Sequence, residues 1–198
     1  MRDRQTATNL GGIRVDHINR YSFALHGLKG PVLDAACGVG YGAYIFAEHG
    51  HQVCAVDIAP EAISFGRTYY GHPNIEWITG DITTQPWGWE RFKTIISFET
   101  LEHLMDPERV LRHFHDSLEA DGKLICSVPN EEKYPFRPEN FEGETYPHLR
   151  HYTPAEFEEL LTKAGFNVIH RGTQLSKTGV VVTGCGGIFL VYTAVKKQ

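Results

Sequence analysis

The segment VLDAACGVGYGA, residues 32–43, decides the fold. Its apolar start, Val32–Ala35, reads as a buried strand with Asp34 near its end, and Gly38, Gly40 and Gly42 lead into a helical pattern over about 40–49. Glycines between a strand and a helix let the backbone approach a ligand closely, at a helix N-terminus whose dipole favours negative groups. The same alternation continues downstream. Strand-like runs at Val53–Val56, Ile75–Ile78, Thr94–Phe98 and Lys123–Val128 alternate with helical patterns over about 60–70 and 106–119. Strands alternating with helices imply an α/β chain with a Rossmann-like, doubly wound parallel sheet covered on both faces.

Upstream, Val15, Ile18, Tyr21, Leu25 and Leu28 recur at helical spacing, and Gly30-Pro31 closes that helix. In the helix after Asp106, Pro107 suits the first turn while Val110, Leu111, Phe114 and Leu118 line one face. Residues 130–152 are rich in Pro, Glu and aromatics. Thr153-Pro154 then opens a helix carrying Phe157, Leu160 and Leu161, which Gly165 ends. Two last strands, Phe166–His170 and Ile188–Val195, flank a long connection containing Gly and Val.

The 198 residues, 41% hydrophobic and 22% charged, suit one domain, expected over 13–198 behind a flexible polar segment at 1–12. A net charge of −5 argues against a generally basic nucleic-acid surface and favours a small-molecule or glycan partner. The sequence carries no sign of oligomeric state. Cys37, Cys54, Cys126 and Cys185 show no paired short spacing, as expected of reduced thiols in the cytoplasm. The opening MRDRQTATNLGG lacks the apolar run of a secretion signal, and no apolar stretch approaches the roughly 20 residues of a membrane span.

Taken alone, Gly38-Val39-Gly40-Tyr41-Gly42-Ala43 also fits the dinucleotide fingerprint of an NAD or FAD enzyme, with Asp57 at the ribose-binding distance. Three acids argue otherwise. Asp34 lies where a pyrophosphate would be repelled and the ammonium of a methionine moiety attracted. Asp57 ends the second strand, where it can accept from both ribose hydroxyls, and Asp81, after the third, can accept from an adenine amino group. Such acids suit a cationic nucleoside better than a dinucleotide.

With these residues in place, the segment resembles the glycine-rich motif of class I S-adenosylmethionine-dependent methyltransferases, over roughly residues 14–170. The resemblance implies a seven-stranded sheet, mostly parallel with the last strand antiparallel, and S-adenosylmethionine as cofactor. It implies a cofactor-binding set of Asp34, Ala36, Gly38, Gly40, Asp57, Ile58, Asp81, Ile82 and Phe98, with Ala36 standing where the family most often has its first glycine. More narrowly, HINRYSFALHGLKGPVLDAACGVGYG (17–42) together with ISFETLEHLMDP (96–107) resembles methyltransferases of bacterial surface-glycan and nucleotide-sugar pathways.

The catalytic candidates follow the fourth strand. If a helical turn begins at Glu99, Glu102 and His103 lie three and four residues on and share its face. An imidazole can titrate near neutrality, so His103 is the expected general base toward an acceptor hydroxyl. Two carboxylates and an imidazole on one face can also hold a divalent ion, a pattern resembling small-RNA terminal 2′-O-methyltransferases and some quinone O-methyltransferases. The downstream histidine-rich segment matches the RNA enzymes poorly, so a metal-independent enzyme is expected. Residues 130–152 are the expected acceptor lid, with His148, Arg150 and Tyr152 at the substrate. A catalytically silent module that binds the cofactor and regulates a partner is the competing class, separated from an enzyme by release of S-adenosylhomocysteine.

The three acids predict that calorimetry will detect binding of S-adenosylhomocysteine and none of NADH. A preference for NADH would return the glycine-rich turn to the dinucleotide enzymes.

Overall fold

A computed structural model describes residues 5–84, 87 and 91–197. The sheet runs through β1 (Val32–Ala35), β2 (Val53–Asp57), β3 (Ile75–Thr79), β4 (Phe92–Phe98), β5 (Leu118–Pro129), β6 (Phe166–Gln174), β7 (Val181–Thr183) and β8 (Phe189–Lys196). The helices are α1 (Val15–Leu25), α2 (Tyr41–Glu48), α3 (Pro60–Tyr69), α4 (Pro107–Ser117) and α5 (Pro154–Lys163). The strand order is β3-β2-β1-β4-β5-β8-β6-β7. Strands β1 to β5 pair in parallel, while β8 is antiparallel to both β5 and β6.

The described sheet therefore has eight strands, where the family resemblance implies seven. The additional one is β7, which folds back antiparallel onto the end of β6 with Gly172 opposite Thr183. It lies in the connection whose three-residue Val-Val-Thr run is too short to give an alternating pattern. β6 also runs four residues past His170, because its later residues pair with the start of β8.

Every residue of β1 and β2 is buried, as expected when helices cover both faces of a parallel sheet. Alternation along the strands sends Leu33 and Ile95 to one core, with Val110, Phe114, Phe157 and Leu161 of α4 and α5. Val32 and Ile96 go to the other, with Tyr21, Phe46 and Ala62 of α1, α2 and α3. The helices begin where local chemistry allows. Asp106 accepts from the Arg109 amide at 3.0 Å, and Thr153 and Glu156 form a reciprocal capping box with Pro154 in the first turn.

Two parts of the chain differ from the expected pattern. α1 buries Asp16, Arg20, Tyr21 and Ala24 and leaves Val15 47% exposed, so its inward face carries an ion pair as well as rings. Of the segment expected to be flexible, residues 1–4 lie outside the described residues; Leu10–Gly12 forms a 3-10 turn, and the Ala7 carbonyl accepts from Tyr70 Oη at 2.6 Å.

The strand-to-helix turn is built from left-handed backbone. Ala36, Gly38 and Gly40 have φ of 59°, 59° and 78°. Only Ala36 carries a Cβ there, at about 1–2 kcal/mol for an L-residue. Gly42 is required by approach rather than by φ, because a Cβ on it would stand 2.0 Å from the Tyr21 ring. Asp34, on the α1 side of β1, is fully buried beneath the turn and accepts from Tyr21 Oη at 3.2 Å. Burial pushes its carboxyl up to about 7, with the Asp57 charge adding to the rise and the Tyr21 and Ala43 donors opposing it.

Two stability measurements follow from the turn. Ala36→Gly relieves the left-handed strain at the expense of added freedom in the unfolded chain, a net gain of about 0.5–1 kcal/mol. That should appear as a rise in Tm of roughly 1–4 °C; a fall would place the relief below the entropic cost. Because the folded pKa of Asp34 lies above its unfolded value, the stability it contributes is fully present below about 4 and is lost as pH rises through 7. Urea unfolding of wild type and Asp34→Asn between pH 4 and 8 should show the variant gaining relative to wild type as pH rises. Parallel curves would contradict the shift.

Candidate active site

A cavity of about 460 Å³ opens over the carboxyl ends of β1 to β4, a volume within the usual range for small-ligand sites. The strand order reverses between β1 and β4, and ligands of open α/β sheets bind at such a switch point. Asp57, at the end of β2, is buried; its Oδ2 accepts from the Gly38 amide at 2.8 Å and its Oδ1 from the Ala59 amide at 2.9 Å. A Cβ built on Gly38 would meet nothing within 4 Å, so this face of the turn is open to the cavity it lines.

Asp81 follows β3 and is held in a tight turn by the Thr83 amide at 2.8 Å. Ile58, 46% exposed, and the buried Ile82 supply apolar walls beside the two acids. A carboxylate at a ribose, a second at a base edge and apolar flanks are what an adenosine moiety needs, so these residues fit S-adenosylmethionine. Phe98, half-buried at the end of β4, packs 5.0 Å from the Tyr21 ring.

Not every residue expected at the cofactor reaches the cavity wall. Ala36, Gly38, Asp57, Ile58, Asp81, Ile82 and Phe98 line it; Asp34 and Gly40 do not. Asp34 lies beneath the turn, and Gly40 packs against the Trp77 ring, which a Cβ would meet at 2.3 Å. Both support the turn from behind.

The acidic and histidine cluster is arranged differently from a single helical face. Glu99 takes a left-handed φ of 49°, and only Leu101–His103 forms a 3-10 turn. Glu99 Oε1 accepts from Ser127 Oγ at 2.7 Å and pairs with Arg20 at 3.3 Å. Arg20 is 1% exposed; it lies 3.7 Å from Asp16, which Arg14 also grips, and its guanidinium rests 4.6 Å over the Phe189 ring. This buried Asp16–Arg20–Glu99 network escaped the sequence reading. Its available signal was an acid and a base four residues apart on α1, beside its apolar stripe.

Glu102 is fully buried, and its carboxyl is pushed well above the usual range by burial first and by the Glu99 charge second. Among the described residues neither of its oxygens has a hydrogen-bond partner. Its backbone carbonyl accepts from the Leu149 amide at 2.8 Å, tying the segment 130–152 to the turn. His103 and His148 line the cavity with ring centroids 4.6 Å apart, edge to face. Glu102, His103 and His148 offer atoms that all lie within 4.8 Å of one another, a spacing that could hold a divalent ion.

The segment 130–152, expected to be a lid, brings Tyr134, Phe141, Tyr146 and His148 to the cavity. Burial, and then the neighbouring His103 and His151, pull His148 down to about 3. The other two residues expected at the acceptor point elsewhere. Arg150 reaches the Met105 carbonyl at 3.4 Å, and Tyr152 is buried in the core with its hydroxyl 3.3 Å from the Leu101 carbonyl.

Residues 9–171 match the methyltransferase domain family. The chain is 33% identical over 139 residues to a Mycobacterium tuberculosis protein named "Probable S-adenosylmethionine-dependent methyltransferase", covering 68% of this chain and 48% of that protein. It is 33% identical over 106 residues to the ubiquinone biosynthesis O-methyltransferase of Coxiella burnetii, covering 52% of this chain and 45% of that one. The chain thus spans about half the length of the curated relatives it matches. Among solved structures, the PH0226 protein of Pyrococcus horikoshii superposes with a TM-score of 0.76 at 19% identity, covering 98% and 95% of the two chains. The Burkholderia thailandensis 1,6-didemethyltoxoflavin-N1-methyltransferase, solved with 1,6-didemethyltoxoflavin and S-adenosylhomocysteine, gives 0.70 at 23%, covering 93% and 79%. With the glycine-rich turn, the strand-end acids and this match over most of its length, the chain belongs to the methyltransferase domain family, whose S-adenosylmethionine-dependent members it resembles in sequence and in fold.

Proposed function

We propose that the protein is an S-adenosylmethionine-dependent methyltransferase acting on a hydroxyl or amine of a small molecule, sugar or glycan. One observation carries this reading: a single cavity runs from the open face of Gly38 and the acids Asp57 and Asp81 to His103 and His148. The first end fits an adenosine and the second a nucleophile, which is the separation an in-line methyl transfer requires. The cofactor supplies a methyl group on a positively charged sulfur. Asp57 and Asp81 hold the nucleoside, Ile58, Ile82 and Phe98 bound it, and the buried Arg20 beside Glu99 offers an ion pair to a zwitterionic methionine end.

The acceptor end is walled by Tyr134, Phe141 and Tyr146, which suits the faces of a flat or pyranose ring. A ring substrate accords with the names of the quinone-pathway relative and the toxoflavin enzyme; the surface-glycan reading rests on the motif resemblance. The acidic net charge disfavours nucleic acid. The electrophile is already activated, so positioning together with the Glu99, Glu102 and His103 cluster suffices without a metal. The four free cysteines support a cytoplasmic setting, and among the described residues no helix is long and apolar enough to cross a membrane.

Asp57→Ala tests the cofactor end. Loss of the shared acceptor should weaken S-adenosylhomocysteine by about 2–3 kcal/mol, roughly 30- to 150-fold in Kd by calorimetry. The fold should persist by circular dichroism. An unchanged Kd would leave Asp57 as a brace for the Gly38 and Ala59 amides and remove the main support for an adenosine site.

A further inference from the structure

We propose that the protein grips its cofactor by the carboxylate of the amino-acid end, on the buried guanidinium of Arg20, and draws little affinity from the ammonium. The inference rests on the methyl-transfer reading of the cavity and deepens it, because it names which charge of a zwitterion the site reads.

Unfilled donors mark the place. Arg20 is 1% exposed, yet it lines the cavity together with its neighbours Glu99 and Phe189. Its Nη1 lies 3.3 Å from Glu99 and its Nη2 3.7 Å from Asp16, close enough for charge pairing. Among the described residues, neither terminal nitrogen makes a hydrogen bond. The donors of a guanidinium lie in its plane, so the Phe189 ring, 4.6 Å from its central carbon and against one face, leaves them unfilled. A buried donor without an acceptor carries the full cost of its lost hydration. A carboxylate arriving from the cavity supplies the two coplanar oxygens that such a fork matches.

The acids are in the opposite condition. An ammonium needs acceptors, and the carboxylates at this end already have donors. Arg14 Nε and Nη2 grip the two oxygens of Asp16 at 3.1 and 2.7 Å. Glu99 accepts from Ser127 Oγ at 2.7 Å and faces Arg20. Asp34, where the sequence places the ammonium, lies beneath the glycine turn and off the cavity wall, bonded to Tyr21. Burial also leaves it partly protonated at neutral pH. Arg14 and Arg20 balance Asp16 and Glu99 in charge, so no net field selects either end of a zwitterion. The hydrogen-bond vacancies select it instead.

The placement suits the rest of the cavity. Asp57 ends β2 and Glu99 follows β4, with β1 between them. Two strand steps separate these positions by roughly 10 Å, a span that a ribose and its homocysteine tail can bridge. Arg20 is also held ready. Gln174 Nε2 donates to the Asp16 carbonyl at 3.0 Å and Asn19 Nδ2 to the Gly179 carbonyl at 3.1 Å, fixing α1 against the connection between β6 and β7. Ordering of the arginine is thus supplied by folding rather than by binding.

Calorimetry on the full-length protein tests this without an acceptor. S-adenosylhomocysteine is compared with 5′-deoxy-5′-(3-carboxypropylthio)adenosine, which keeps only the carboxylate, and 5′-deoxy-5′-(3-aminopropylthio)adenosine, which keeps only the ammonium. 5′-Methylthioadenosine, with neither, sets the baseline. Losing the ammonium should raise Kd by less than about threefold, and losing the carboxylate by roughly 10- to 150-fold, the range for a hydrogen bond to a charged group. An aminopropyl probe that binds as tightly as S-adenosylhomocysteine overturns the proposal, as does a carboxypropyl probe no tighter than methylthioadenosine. Arg20→Met should bring S-adenosylhomocysteine down to the aminopropyl probe. Because that change strips Asp16 and Glu99 of a counter-charge, Arg20→Met/Glu99→Gln is measured beside it, with the fold checked by circular dichroism. A carboxylate preference that survives in either folded variant overturns the assignment to Arg20. Failure of all four probes to bind sinks the methyl-transfer reading itself, whereas binding with the two single-charge probes in reverse order sinks only the carboxylate grip.

Discussion

The hydrogen bond from the Gly38 amide to the Asp57 carboxylate is the constraint on which the site depends. It joins the end of β1 to the end of β2, and it forms only because the turn passes through left-handed backbone at Ala36 and Gly38. With that amide drawn to Asp57, the Cα of Gly38 faces open space and the first turn of α2 points at the cavity. Parallel pairing of β1 with both β2 and β4 then brings the rest of the machinery to the same edge of the sheet. A sheet so fully buried can offer function only at its strand ends, where backbone and side chains reach water again.

A second constraint lies behind the first. Glu99, placed immediately after β4, adopts a backbone conformation that costs a non-glycine residue about 1–2 kcal/mol. Ser127 of β5 and Arg20 of α1 hold its carboxylate and offset that strain. Arg20 is fully buried, so its charge requires Asp16, Glu99 and the face of Phe189 together; removing one partner of such a buried set typically costs about 3–5 kcal/mol. The consequence reaches Glu102. Burial first, and the Glu99 charge second, push the Glu102 carboxyl well above the usual range, so two acids three residues apart sit in different environments.

Residues 130–152 bring a set of rings to the cavity. Phe141, His148, His151 and Tyr134 form a continuous stack-and-edge array, joined to the Leu101–His103 turn by the Leu149–Glu102 backbone bond.

The sequence by itself determined the alternation of strands and helices, the glycine-rich turn, and the three acids at successive strand ends. These are local signals, written in hydrophobic period, in residues tolerant of positive φ, and in spacing from each strand. Asp57 and Asp81 were legible because a strand end fixes where its next side chain points. Asp34 was legible as a strand-end acid, but the pleat decided that it would turn beneath the glycine loop, toward Tyr21. Only the tertiary structure decided the rest. Whether β7 pairs with β6, whether Arg20 is buried against Glu99, and whether Tyr152 enters the core while His148 enters the cavity depend on contacts between residues many positions apart. The sequence there has no period to fix which side chains turn inward, so the packing of Phe141 and the bond to His151 fix it instead.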